Sequence, residues 1–147
     1  MTSGRGVALT QGFDYFDVAA DVGVTAWGVT LVEAAGALAR GVFNLIVPLT
    51  TVEPRAGREV RVAGHDEAAL LVNWINELLY LHDLDGWLLA RAEVKECVPP
   101  RLAANVTGER FDPARHPRGI LVKAATYHDL SVVKTPDRVT VRMVLDV

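Results

Sequence analysis

Leu121-Val-Lys-Ala-Ala-Thr-Tyr-His-Asp-Leu-Ser-Val132 alternates in character with a period of two, the pattern of an extended strand with one face turned to a core. Val122, Ala124, Thr126, His128, Leu130 and Val132 fall on one face, which is mostly apolar and is expected inward. Lys123, Ala125, Tyr127, Asp129 and Ser131 fall on the other. That second row offers a cation, a phenol and a carboxylate at two-residue spacing. It reads either as a solvated strand face or as a recognition surface on which Lys123, Tyr127 and Asp129 meet a partner.

The same alternation marks the chain end. After a Pro136-Asp137 turn, Val139, Val141, Met143, Leu145 and Val147 alternate with Thr140, Arg142, Val144 and Asp146 as a final strand. Upstream, Phe13 to Val18 and Val22 to Trp27 read as two strands of a hairpin, joined by Ala19-Ala-Asp21 with Asp21 at the bend. Thr30-Leu-Val-Glu33 is a capping box. It opens a helix with Leu31, Ala35, Leu38, Val42 and Leu45 on one stripe, and Pro48 stops it. Arg58 to Ala63 alternates as a short strand.

Asp66 caps a second helix with an apolar stripe of Leu71, Trp74, Ile75, Leu78 and Leu81. Asn73, Asn76, Glu77 and Tyr80 form a polar stripe beside it, and the helix ends near Asp85-Gly86. Trp87 to Cys97 and Arg101 to Arg110 read as a hairpin broken at Pro99-Pro100, and Phe111 to Gly119 as a loop. Two helices packed on a largely antiparallel or mixed sheet of about six to eight strands make an α+β single domain over residues 12–147. Residues 1–11 read as a flexible tail.

The 147 residues suit one domain with a core of its own. Half the residues are apolar and 22% are charged, which excludes a disordered chain. A net charge of −3 gives no global attraction to nucleic acid. Arg91, Arg101, Arg110, Arg115 and Arg118, with His116 among them, read as scattered solvated cations. The single cysteine, Cys97, reads as a small core residue and fits a cytoplasmic location. No run reaches the ~18 apolar residues of a membrane span, and the N-terminus has no signal-peptide core.

Enzyme signatures are missing. There is no glycine-rich phosphate loop, no His-Glu-x-x-His, no paired Cys-x-x-Cys and no Gly-x-Ser-x-Gly. On a strand, Asp129 and His128 point to opposite faces, so His128 reads as a core histidine rather than a catalytic one. Asp146 is followed by Val147, whose α-carboxylate is free if the native chain stops there. With Asp21 at a strand bend, these oxygens are of the kind that hard cations such as Ca²⁺ and Mg²⁺ select, or they are a turn aspartate and a frayed terminus.

Four segments in order resemble the archease family: Phe16-Asp-Val-Ala-Ala-Asp-Val-Gly-Val24, Leu70-Leu-Val-Asn-Trp-Ile-Asn-Glu-Leu-Leu-Tyr-Leu81, Val122-Lys-Ala-Ala-Thr-Tyr-His-Asp-Leu130 and Leu145-Asp-Val147. The resemblance implies an archease-like domain over 12–147 that is not an enzyme. It would be a cofactor activating the GTP-dependent RNA ligase that joins 2′,3′-cyclic phosphate or 3′-phosphate ends to 5′-hydroxyl ends in tRNA splicing and RNA repair. It would promote GMP transfer to the ligase and multiple turnover, meeting RNA only indirectly. The resemblance also implies a divalent metal site at Asp21, Asp146 and Val147, and a partner-facing role for Lys123. Three positions depart from the family: Val18 and Ala19 stand where it often has His-Thr, and Asn73 where it commonly has Asp. The competing readings are a small adaptor or chaperone binding through Lys123, Tyr127 and Asp129, and a stand-alone metal-dependent hydrolase using Asp21, Asp146 and a histidine.

Overall fold

In the computed structural model, which describes residues 10–147, the elements run β1 (Gly12–Val18), β2 (Asp21–Gly28), α1 (Leu31–Ile46), β3 (Ala56–Ala63), α2 (Glu67–Asp85), β4 (Trp87–Val98), β5 (Arg101–Arg110), β6 (Ala124–Ala125), β7 (Ser131–Thr135) and β8 (Arg138–Asp146). The tail expected over residues 1–11 falls mostly on residues 1–9, outside the described residues. The eight strands form two antiparallel sheets, one ordered β1-β2-β8-β6 with β7 also on β8, the other β3-β5-β4. With two helices, this is the expected α+β domain.

Local chemistry starts and stops the helices as read. The Thr30 hydroxyl accepts from the Glu33 amide at 3.4 Å, and the Glu33 carboxylate accepts from the Val29 amide at 2.9 Å. Asp66 accepts from the Ala69 amide at 2.7 Å, and Gly86, at φ 76°, closes α2 in the left-handed conformation a glycine tolerates. The end of α1 has no such glycine. Instead the Gly119 and Ile120 amides donate to the Ile46 and Leu45 carbonyls at 2.7 and 2.8 Å, so a loop distant in sequence satisfies its last turn.

The one-sided stripe expected for α1 is wrong. Its positions 34–39, 41–43 and 46 are all buried, whereas Leu31 and Leu45 are only partly so. The reason is its place between the sheets, with β1, β2 and β8 on one side and β4 on the other. Small residues make this possible. A Cβ on Gly36 would lie 3.2 Å from the Ala92 carbonyl oxygen, and one on Gly41 would lie 3.0 Å from Phe13 and Val24 side-chain atoms.

The long strand expected over Leu121–Val132 is also wrong. Only Ala124–Ala125 pairs there, with Asp146 and Leu145, and pairing resumes at Ser131 opposite Arg142. Thr126 diverts the chain: its amide and its hydroxyl both donate to the Val144 carbonyl, at 3.2 and 2.8 Å. The Leu130 amide then donates to the Tyr127 carbonyl at 3.2 Å, with Asp129 left-handed at φ 52°. Facing therefore does not follow the alternation. Ala125 is buried, and His128, expected in the core, is exposed. Cys97 is buried as read, and burial pushes its thiol up to about 11.

The arginines are not a simple scatter. Glu109, 6% exposed near the end of β5, accepts from the Glu53 amide and Arg55 Nε, each at 2.9 Å, from Arg115, and from His116 Nε2 at 2.9 Å. The Asp112 amide donates to His116 Nδ1 at 2.8 Å, so the imidazole proton sits on Nε2 and points at Glu109. This network ties the loops before β3 and after β5 to the smaller sheet. Burial alone would push the Glu109 carboxyl up. The Glu53 amide, Arg115 and His116 outweigh it and hold the group at about 2, below its ordinary 4.5.

Two tests follow from this packing. Gly41→Leu would stabilise a one-sided helix by up to about 1 kcal/mol through propensity. Between two sheets it should instead destabilise by about 1–3 kcal/mol in urea unfolding. Because the folded carboxyl of Glu109 titrates below the unfolded one, its contribution is complete above pH 4.5 and is lost as pH falls toward 2. Glu109→Gln should cost about 3–5 kcal/mol at pH 7 and flatten the acid-induced loss over that window.

Candidate functional site

The β1–β2 hairpin turns through Ala19 and Ala20, the latter left-handed at φ 66°, and places Asp21 at the first position of β2 rather than in the bend. β2 pairs with β8 in the register Val22 to Leu145, and one further step sets Asp21 opposite Asp146. Val18 lies opposite Asp21 on one side, and Ala124 lies opposite Asp146 on the other. Val18, Asp21, Asp146 and Ala124 thus form one row across the end of the larger sheet. Directly opposed residues share a face, with Cβ atoms about 4.5–5.5 Å apart in a regular ladder, so Asp21 and Asp146 project from the same face of this sheet end.

Among the described residues, neither carboxylate is in an ion pair. Two rows inward, the Phe16 ring covers Gly23, where an added Cβ would lie 2.1 Å from it, and Arg142 stacks on that ring at 3.9 Å. The arginine thus lies on the aromatic face rather than on the carboxylates. Val18, where the family often has histidine, borders Asp21 and offers no ligand atom.

α2 and the chain around β6 complete the edge. The Lys123 amide donates to the Asp146 carbonyl at 2.8 Å, which fixes Lys123 beside the pair. Asn76 clamps β6 from α2: its Oδ1 accepts from the Ala125 amide at 2.8 Å and its Nδ2 donates to the Ala125 carbonyl at 3.5 Å. Asn73 donates to the Ala63 carbonyl at 2.7 Å, a bond that an aspartate there could not make. Asn76 was legible only as part of a polar stripe; its role depends on which strand the helix meets.

Lys123, Tyr127 and Asp129 are all exposed, but they do not form the expected row on one strand face. The turn at 127–130 separates them and brings Asp129 Oδ2 to 3.3 Å from His128 Nε2, a contact that strand geometry would forbid. No histidine is placed with Asp21 and Asp146. Among the described residues, no three His, Cys, Asp or Glu side chains gather to hold a metal ion. Two side-chain carboxylates are fewer than the six to eight oxygen ligands of Ca²⁺, so any further ligands would come from Val147, backbone, water or a partner. No helix among the described residues is long and apolar enough to cross a membrane.

Comparison with known proteins agrees with this architecture. The model of the archease protein family matches residues 13–147. The archease of Thermococcus gammatolerans is 41% identical over 128 residues, covering 85% of this chain and 90% of its own. That of Sulfurisphaera tokodaii is 34% identical over 138 residues, covering 93% and 99%. The solution structure of a Methanobacterium thermoautotrophicum protein superposes with a TM-score of 0.77 at 29% identity, covering 92% of this chain and 99% of that one. A crystal structure of a Thermotoga maritima archease, described as a possible chaperone, shares the fold with a TM-score of 0.62 at 19% identity, covering 90% and 94%. By fold, by sequence and by the match along nearly its whole described length, the chain belongs to the archease protein family.

Proposed function

We propose that this archease is a non-enzymatic activator of the GTP-dependent RNA ligase that joins 2′,3′-cyclic phosphate or 3′-phosphate ends to 5′-hydroxyl ends, acting in the cytoplasm in tRNA splicing and RNA repair. The observation that carries the reading is that Asp21 and Asp146 share one face of a sheet end in a member of this family, neither of them in an ion pair among the described residues. Like charges held together in this way favour a bound cation. Asp21 and Asp146 would hold a hard divalent ion such as Ca²⁺ or Mg²⁺, with the Val147 α-carboxylate added where the chain stops at that residue. Such an ion would neutralise charge beside a nucleotide phosphate during guanylylation of the ligase.

Around that pair, Lys123, Tyr127 and Asp129 are the partner-contact residues. All three are exposed, and Lys123 is held beside Asp146 by its backbone. With Leu121 also exposed next to them, the surface offers apolar and charged groups to a protein. The net charge of −3 suits docking on a basic protein surface better than gripping RNA. The absence of a histidine beside the carboxylates argues against the stand-alone hydrolase. A general adaptor using the same surface remains the competing reading, and it differs in requiring no carboxylates.

The deciding assay is multiple-turnover joining of 3′-phosphate and 5′-hydroxyl RNA ends by limiting cognate ligase, GTP and metal. Asp21→Asn and Asp146→Asn should each reduce the stimulation by about tenfold or more. Calcium should raise the unfolding temperature of the wild type but not of either variant. Stimulation that survives in both folded variants would refute the carboxylate role. No stimulation by the wild type, with a ligase shown to be active, would refute the activator reading.

A further inference from the structure

A second site lies at the other end of the hairpin. Gln11, Arg40, Arg91, Glu93, Asn105 and Thr107 wall a cavity of about 540 Å³, between the C-terminal half of α1, β4, β5 and the entry to β1. That size is within the range of small-ligand sites. The register of the smaller sheet shifts between Leu89 and Arg91, and this irregularity immediately precedes Arg91 on the cavity wall.

Three observations converge on this cavity. First, four buried side-chain polar atoms among the described residues lack a hydrogen-bond partner, and one of them is Nε of Arg40, a residue of the cavity wall whose guanidinium is therefore held at that wall with part of its donor capacity unused. Such atoms are uncommon in native structures, and each calls for an explanation. Second, every other described arginine has a carboxylate or an aromatic ring as partner, while Arg40 and Arg91 have neither. Arg40 makes one side-chain contact, to Gln11 Oε1 at 3.5 Å. Burial pushes its guanidinium down, with no countercharge to oppose the effect. Third, the carboxylate on the wall, Glu93, has Lys95 as its ion-pair partner, at 3.7 Å, and neither Arg40 nor Arg91.

We infer that this cavity binds the phosphate group of a small phosphate monoester, with Arg40 and Arg91 as its cationic clamp. Guanidinium groups present paired N–H donors that match phosphate oxygens, and the amides of Gln11 and Asn105 are suited to the polar organic part. The volume exceeds that of a bare phosphate, which is why an esterified ligand fits better than the inorganic ion. β1 spans seven residues from Gly12, next to Gln11, to Val18, opposite Asp21. The cavity therefore lies about 20 Å from the carboxylate pair, and neither site depends on the other.

The test is a ¹⁵N-NMR titration of the full chain with ribose 5-phosphate, inorganic phosphate and ribose. Ribose 5-phosphate should give saturable shifts at Arg40, at residues 91–93 and at residues 105–107, inorganic phosphate weaker ones at the same amides, and ribose none. Arg91 is exposed, so Arg91→Gln should fold normally and weaken binding by about tenfold. Asp21→Asn, at the remote carboxylates, should leave it unchanged. The inference is overturned by an absence of saturable shifts up to about 10 mM, by unchanged affinity in Arg91→Gln, or by shifts confined to the Arg115–Arg118 loop.

Discussion

Between the two sheets, α1 is held so closely that its backbone, and not only its side chains, meets both. Ala34, Ala35, Gly36, Ala37, Ala39 and Gly41 keep the helix thin, and Leu38, Val42 and Phe43 fill what space is left. With so little side chain in the way, other elements reach its carbonyls. Tyr15 from β1 donates its hydroxyl to the Gly41 carbonyl at 2.7 Å, and Trp74 from α2 donates Nε1 to the Ala35 carbonyl at 3.0 Å. The spacing of the sheets, the seat of α2 and the position of the first hairpin all follow from that close approach.

The helix also contributes to both candidate sites. Its last carbonyls are satisfied by Gly119 and Ile120, and the chain leaves that contact to form β6 and present Lys123 beside Asp146. The loop that does this is anchored from the other side by Arg115 and His116 on the buried Glu109. A buried carboxylate with all its oxygens engaged specifies where a loop runs better than apolar contact would, since the geometry of each bond has to be met. In the C-terminal half of the same helix, Arg40 shares a cavity wall with residues of β4 and β5. Among the described residues, Asp21 and Asp146 on the larger sheet and Arg40 and Arg91 beside the smaller one have no ion-pair partner, and the two-sheet frame keeps the two groups apart.

Much of the fold was legible in the chain. Capping at Thr30 and Asp66, the stops at Pro48 and Gly86, the first hairpin, the 87–110 hairpin and the final strand all depend on short-range chemistry or period-two patterning, and each is present within a residue or two. The carboxylate pair was legible only in part. Asp21 and Asp146 could be marked as oxygen donors, and their family context pointed to them together, but their adjacency is set by the β2–β8 register. Glu109 gave no signal, because a glutamate one residue from a strand end looks solvated until the arginines and the histidine that surround it are brought in from two loops.

Leu121–Val132 shows where local pattern fails. Its alternation describes a strand, but β8 accepts it at only two positions before the Thr126 hydroxyl takes the Val144 carbonyl and the chain turns. The amino-acid sequence by itself determined the order and type of the main elements, the small-residue character of α1 and the family, because these rest on contacts between near neighbours or on matched motifs. Only the tertiary structure decided that α1 is buried on both sides, that the strands divide into two sheets, that Asp21 meets Asp146, and that Arg40 and Arg91 share a cavity. Those facts depend on strand register and on sheet-to-helix distance, which couple residues far apart in the chain and leave no periodic trace along it.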